Sequence, residues 1–290
     1  MSTPLAAPVI AATRLRGGNA SSARGAASLA VQAIGTARAC GVTGSILVRM
    51  DSAYYMAAAI AAVRRNGARF SVTAPVSAAI RAAITAIPGG AWTAIKYPQA
   101  IWDDQLGCWV SDAEVAETSY AAFTSKKDKK LHVTARLIVR RVRDKNKDAA
   151  PGQGELFLAW RYHAVFTDSP FETVQAEEQH RGHAVIEQLL ADLSDGPLAH
   201  LPSGKFTANA AWLAIAAIAH NLTRAAGALA GRRHARARAA TIRRDLIAVA
   251  ARTARHGRDR LTLHLPEGWH REHDWLNLFE AACGPPAAAA

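Results

Sequence analysis

An aliphatic run, Ile46–Leu47–Val48, follows the glycine punctuation of Gly41 and Gly44. It breaks at Asp51 into the alanine-rich periodic segment Ala57–Arg65. Continuous aliphatic residues of that length predict a buried strand that delivers Asp51 to its carboxyl end. Ser52 is placed to cap the helix that follows, and Asn66–Gly67 to stop it. Arg69–Phe70–Ser71–Val72–Thr73 reads as a second strand, so the unit is β-α-β and predicts a parallel, right-handed crossover. Asp51 would then face the crevice beyond the strand ends, where open α/β sheets collect ligands.

Upstream, Val9 to Leu15 resembles a strand, Arg16–Gly17–Gly18–Asn19 a turn, and Ser22 to Cys40 a helix. Downstream, Ser77 caps a helix that runs to Ile87 and ends at Pro88–Gly89–Gly90. From Trp92 to Thr167 the pattern turns to strands, at Thr93–Tyr97, Cys108–Val110, Leu131–Val142 and Leu156–Phe166. The charged loop Arg143 to Gly154 joins the last two as a long hairpin. A β-rich insertion thus separates two halves of an α/β domain. Asp168–Ser169–Pro170 starts a helix on which His180, His183, Glu187 and Ser194 share one stripe, beside an apolar stripe of Ile186, Leu189, Leu190 and Leu193. After Gly196–Pro197 a long helix, Thr207 to Ala228, buries Ala, Leu, Ile and Trp side chains. A strand, Arg260–Leu265, and a helix near Asp274 to Ala282 follow. The expected boundaries are 1–90, 91–167, 168–230 and 231–290.

Charge narrows the function. The 290-residue chain carries +12 with a pI near 10.2, which calls for an anionic partner. Arg224 to Arg260 holds eleven arginines against Asp245 and Asp259. Without an anion that run would repel itself, so phosphate contact is expected. Lys126, Lys127, Lys129 and Lys130 precede one predicted strand, and Arg140, Arg141 and Arg143 close it. Cys40, Cys108 and Cys283 are far apart, which fits a reducing cytoplasm and gives neither a disulfide framework nor a thiolate zinc site. The N-terminus is a poor signal peptide, and the longest apolar run, Ala210–Ala219, falls short of the roughly 20 residues a bilayer span needs.

Asp51 and Glu187, if both face one strand-end crevice, would make a divalent-cation site, since Mg²⁺ takes oxygen ligands. His180 and His183 could instead join Glu187 around zinc, although the H-E-x-x-H and H-x-x-E-H spacings are absent.

Leu15–Arg16–Gly17–Gly18–Asn19–Ala20, Val48–Arg49–Met50–Asp51–Ser52–Ala53–Tyr54–Tyr55, Trp160–Arg161–Tyr162 and His180 through Gln188 together resemble a bacterial insertion-sequence DDE transposase. Leu201–Phe206 followed by Ala208–Leu213 resembles the same group. The resemblance implies an α/β fold: a ribonuclease-H-like core interrupted by a β-rich insertion, with a helical, basic C-terminal region. It also implies two Mg²⁺ (or Mn²⁺) ions held by Asp, Asp and Glu, acting on double-stranded DNA, with a homodimer on the DNA and no membrane. Asp51 matches the second aspartate and Glu187 the glutamate. His180 and His183 stand where relatives have Tyr and Arg, and Ser194 where they have Lys. DNA contacts are expected from His180, Arg181, His183, Lys126, Lys127, Lys129, Lys130, Arg140, Arg141, Arg232, Arg233, Arg236 and Arg238. Relatives place the first aspartate on an earlier strand, and no Asp or Glu precedes Asp51 here. The chain therefore reads as an N-terminally truncated transposase, inactive alone and at the nucleoid. Alternatives are a non-catalytic basic DNA-binding protein of the same fold and a histidine-carboxylate metal hydrolase.

Overall fold

Behind a first helix, α1 (Ala26–Ala39), the chain enters β1 (Leu47–Met50), crosses in α2 (Ala57–Arg65) and returns as β2 (Arg69–Ala74). β1 and β2 are parallel, Leu47 opposite Arg69 and Met50 opposite Val72. Asn66 ends α2, and Gly67 takes a φ of +67°, the left-handed turn that glycine adopts without a Cβ clash. One detail differs from expectation. Ser52 does not cap α2; Asp51 caps a single 3₁₀ turn, Ser52–Tyr54, by accepting from the Ala53 N–H at 2.8 Å. The computed structural model describes residues 8–21, 23–143, 160–182, 184–257 and 260–284.

After α3 (Ala78–Thr85), capped by Ser77, come β3 (Thr93–Ala94), β4 (Ile101–Asp103), β5 (Cys108–Val110), β6 (Ala113–Ala122), β7 (Val133–Arg143) and β8 (Trp160–Thr167). One six-stranded mixed sheet runs β1-β2-β8-β7-β6-β3, antiparallel at every seam except β1–β2. β4 and β5 form their own hairpin. The stretch expected as a β-rich insertion therefore supplies four of the six strands of the same sheet as β1 and β2. The loop expected at 144–154 lies outside the described residues.

Alternation along the strands builds two cores. On one face Phe70, Val72, Leu137, Val139 and Phe166 pack with Ile34 of α1, Ile60 and Val63 of α2, and Ile80 and Ile84 of α3. On the other, Ile95, Val115, Ile138 and Val165 pack with Ala176 of α4 (Thr173–Arg181). Asp168 does not open α4. Its Oδ1 accepts from the Phe70 N–H at 2.7 Å and fastens the start of β2.

Two compact units make up the chain: Gly17–His183, and Met1–Arg16 with Ala184–Ala290. The second holds α5 (Ala184–Ser194), α6 (Phe206–Ala230), α7 (Arg232–Ala235), α8 (Ala239–Ile242), the antiparallel pair β9 (Arg252–His256) and β10 (Arg260–His264), and α9 (Glu272–Cys283). Val9–Leu15 is not a strand. Asn221 of α6 clamps it through both groups of Ile10, donating to the carbonyl and accepting from the N–H, each at 2.8 Å.

α6 is turned opposite to expectation. Its buried stripe is Asn209, Ala216, Ala217, His220, Arg224 and Gly227, while Ile215, Ile218 and Leu222 are exposed. The cause lies at Gly227, where a Cβ would come within 2.6 Å of Ile242 and 2.7 Å of the His234 carbonyl, so only glycine allows that approach. By length and composition alone this 25-residue helix could also cross a membrane, which the shorter Ala210–Ala219 run did not suggest.

Beside that contact, buried His234 meets Asp245 Oδ2 through Nε2 at 3.2 Å and Asp274 through Nδ1 at 3.5 Å. Asp245 also accepts from Arg244 at 2.7 Å and faces Arg271 at 3.4 Å. These partners, Arg244 foremost, lower the Asp245 carboxyl from its ordinary 3.8 to about 2. A depressed carboxyl stabilises the fold fully above its unfolded value, and that contribution is lost as pH falls through about 2. Asp245→Asn should therefore cost at most about 2 kcal/mol near neutral pH. In thermal melts the gap between variant and parent should close as the pH drops from 4 to about 2.

Candidate active site and nucleic-acid contacts

Asp51 stands exposed at the carboxyl end of β1, as the pattern predicted. Its Oδ1 is used by the Ala53 N–H, and Oδ2 takes no hydrogen bond from a described residue. Among the described residues β1 pairs only with β2, so no described strand pairs along the outer edge of the strand that carries Asp51. Two residues earlier, Arg49 points to the α4 face and donates through Nη1 to the Gln179 carbonyl at 2.6 Å. A guanidinium there satisfies a carbonyl left over at the end of α4 and opposes the negative end of its dipole. Burial lowers the Arg49 pKa from its ordinary value.

Beyond α4 the expected single stripe is broken. α4 stops at Arg181, α5 begins at Ala184, and spacings of three, four and seven do not carry across the gap. His180 is buried under α4, with Nδ1 2.7 Å from Ser71 Oγ and Nε2 3.0 Å from Thr73 Oγ1. Both ring nitrogens are engaged by β2 hydroxyls, so His180 is neither a phosphate contact nor a zinc ligand. His183 lies outside the described residues. Glu187 sits exposed in the first turn of α5, in the other unit from Asp51. Leu189 and Leu193 are buried as expected, whereas Ile186 and Leu190 are exposed.

The basic residues also divide. Arg140 and Arg141 are neighbours on β7 and so face opposite sides of the sheet. Arg140 forms an ion pair with buried Glu177 at 2.6 Å and lies over the Tyr97 ring, 5.3 Å from its centre. Arg141 pairs with Glu114 at 2.5 Å and is sandwiched between Trp92 and Trp160, at 4.1 and 4.4 Å. Both therefore have acidic and aromatic partners within the fold. Arg181 likewise shares Glu177 at 3.2 Å and stands over Tyr97. Arg238, expected to be free for phosphate, is paired with Asp192 and Asp195.

Exposed cations remain elsewhere. Lys126, Lys127, Lys129 and Lys130 crown the β6–β7 connection, and none forms an ion pair with a described residue. Phe123 at the base of that loop has a φ of +61°, and its ring lies 5.0 Å from Tyr55, four residues after Asp51. This contact ties the lysine loop to the segment that follows the candidate site. Burial, and to a lesser degree Tyr120, pushes the Tyr55 phenol up to about 12, so it stays protonated and neutral in that packing. Arg232, Arg233 and Arg236 are exposed on and just after α7.

The family model for "Transposase DDE domain group 1" matches residues 7–281. The chain belongs to the DDE transposase family. No curated protein matches it significantly. Family membership makes this a transposase domain whose substrate is DNA and whose relatives generally use divalent metals. The mixed sheet is compatible with a ribonuclease-H-like core. Tested against such a metal, the donors suit it in kind, since Asp51 and Glu187 are exposed hard carboxylates. They fall short in number: among the described residues no three His, Cys, Asp or Glu side chains converge.

Sequence reasoning missed Arg49, Glu177 and the Tyr55–Phe123 contact. Alternation on β1 could have found the first, because it sets Arg49 on the face opposite Val48 and Met50. His180→Leu should destabilise the transposase by roughly 1–3 kcal/mol through the stranded Ser71 and Thr73 hydroxyls. DNA affinity at fixed salt should stay unchanged, as read by thermal melts alongside fluorescence anisotropy.

Proposed function

We propose that this transposase acts on double-stranded DNA as a homodimer, with Asp51 and Glu187 as two of the carboxylates of a Mg²⁺ or Mn²⁺ site. The observation that carries the reading is Asp51, exposed at the carboxyl end of a strand whose outer edge pairs with no described strand. A strand laid along that edge would set its own side chains beside Asp51, and residues 1–50 contain no carboxylate to offer there. The bound ions would activate the attacking oxygen and stabilise the leaving one. What this chain's own residues do is hold Asp51 on β1, anchor the end of α4 through Arg49, and present cations to phosphate.

The assay is strand cleavage and transfer on labelled duplex DNA carrying the element's ends, in Mg²⁺ or Mn²⁺. With no three His, Cys, Asp or Glu side chains converging among the described residues, the 290-residue chain alone should be inactive, and supplying a separate strand that bears an aspartate should restore activity. Metal-dependent cleavage by the chain alone, abolished by Asp51→Ala, would show the site to be complete without it. A non-catalytic DNA-binding role is favoured in turn by the shortage of converging carboxylates. It predicts no activity even with the added strand.

DNA binding itself should weaken steeply with salt, with a log–log slope of roughly −0.9 per phosphate neutralised. Replacing Lys126, Lys127, Lys129 and Lys130 by alanine, or Arg232 and Arg233, should flatten that slope. Arg141→Ala should instead reduce thermal stability, because Arg141 fills a Trp92–Trp160 sandwich.

A further inference from the structure

We propose that a narrow cavity against the buried stripe of α6 binds one small monovalent anion, of halide size, through the guanidinium of Arg224. The cavity measures about 10 Å³, the room of a single water-sized sphere. Its walls come from α5, α6, the turn after α7 and Pro8, all within one compact unit. Arg224 is only 6% exposed, yet its Nε and Nη2 are both buried without a hydrogen-bond partner. These two atoms form one edge of the guanidinium, the fork that holds an anion by two N–H bonds.

Charge selects an anion over water. Asp192 lines the same cavity and attracts Arg224 from a distance, but its two oxygens are taken by Arg238 Nε and the Ala239 N–H. Arg238 draws on Asp195 as well, so these carboxylates are spent on another arginine. A water would accept from the fork and still leave the guanidinium charge uncompensated away from solvent, which is costly for a buried ion. One cation without a counter-ion in contact calls for one negative charge, and a halide is a single atom suited to so small a space. His220 Nε2 is also buried without a partner on this cavity. Burial, and then the Arg224 charge, lowers the His220 pKa, while Asp192 and a hydrogen bond to the Pro8 backbone oppose them. An anion beside the ring offsets the Arg224 charge and favours a proton on Nε2, which then donates to the anion. Affinity should therefore rise as the pH falls through the histidine range.

Thermal melts of the full chain without DNA test the site, with sodium chloride replacing sodium gluconate at fixed ionic strength. The midpoint should rise by several degrees and saturate, as binding to the folded state requires. Half-saturation should come at lower chloride at about pH 6 than at about pH 8. Arg224→Leu, which removes the fork, should abolish the chloride response at both. Should that variant fail to fold, crystals of the parent soaked in sodium bromide give a second reading. Their anomalous difference map should show a peak within hydrogen-bonding reach of Arg224 Nε and Nη2. A parent indifferent to chloride, a response that survives Arg224→Leu, or ordered water alone in the cavity would overturn the inference. So would displacement of the bromide by duplex DNA, which would assign the fork to phosphate. The melts and the soak need no DNA, so their failure leaves the DNA-binding reading untouched.

Discussion

Pairing on both edges of β7 sets the direction of every side chain along it, and the first unit is built outward from that constraint. Glu114 lies opposite Arg141 on β6, and Tyr162 opposite Arg141 on β8. A slip by one residue would exchange Leu137 and Val139 with Ile138 and Arg140, mixing the two cores and burying unpaired guanidinium groups. In register, Arg140 reaches Glu177 and so locates α4 over the sheet. Once α4 is placed, His180 meets Ser71 and Thr73, and Arg49 meets the Gln179 carbonyl. Surroundings of the Asp51 strand thus depend on a ladder three strands away.

Part of this was legible in the chain. Ile46–Val48, Asp51 and Asn66–Gly67 announce β1, α2 and β2, because a continuous aliphatic run and a glycine stop are local signals. β6 gave no such signal: Ala113–Ala122 is rich in alanine and glutamate, and only its partner β7 on one side and β3 on the other make it a strand. The helical stripe from His180 to Ser194 failed because spacing says nothing of a break, and one falls between Arg181 and Ala184. α6 was misoriented for another reason. When nearly every residue is Ala, Ile or Leu there is no polar face to mark the outside, and the close approach at Gly227 decides instead.

Charge proved equally dependent on tertiary partners. The arginine run looked uncompensated along the sequence, yet Asp192 and Asp195, over forty positions before Arg238, pair with that arginine in space. Arg244 likewise spends its charge on Asp245. Cations with structural partners leave a smaller and better defined set for phosphate, namely the β6–β7 lysines and the α7 arginines. Being exposed, they direct their field at solvent, where it is screened within about 8–10 Å at ordinary ionic strength.

The seam between β2 and β8 carries a consequence for how the chain folds. β6, β7 and β8 follow one another along the sequence, and β1, α2 and β2 form another consecutive block. The bonds that join the blocks span far more chain: Thr167 Oγ1 donates to the Phe70 carbonyl across 97 positions. Loop closure of that length must be met before the long-range contacts reward it, so docking of the two blocks is the slow, high-contact-order event. Until it happens, the facing edges of β2 and β8 are both unpaired. Those unpaired edges are the surfaces through which a chain not yet docked would pair with another chain.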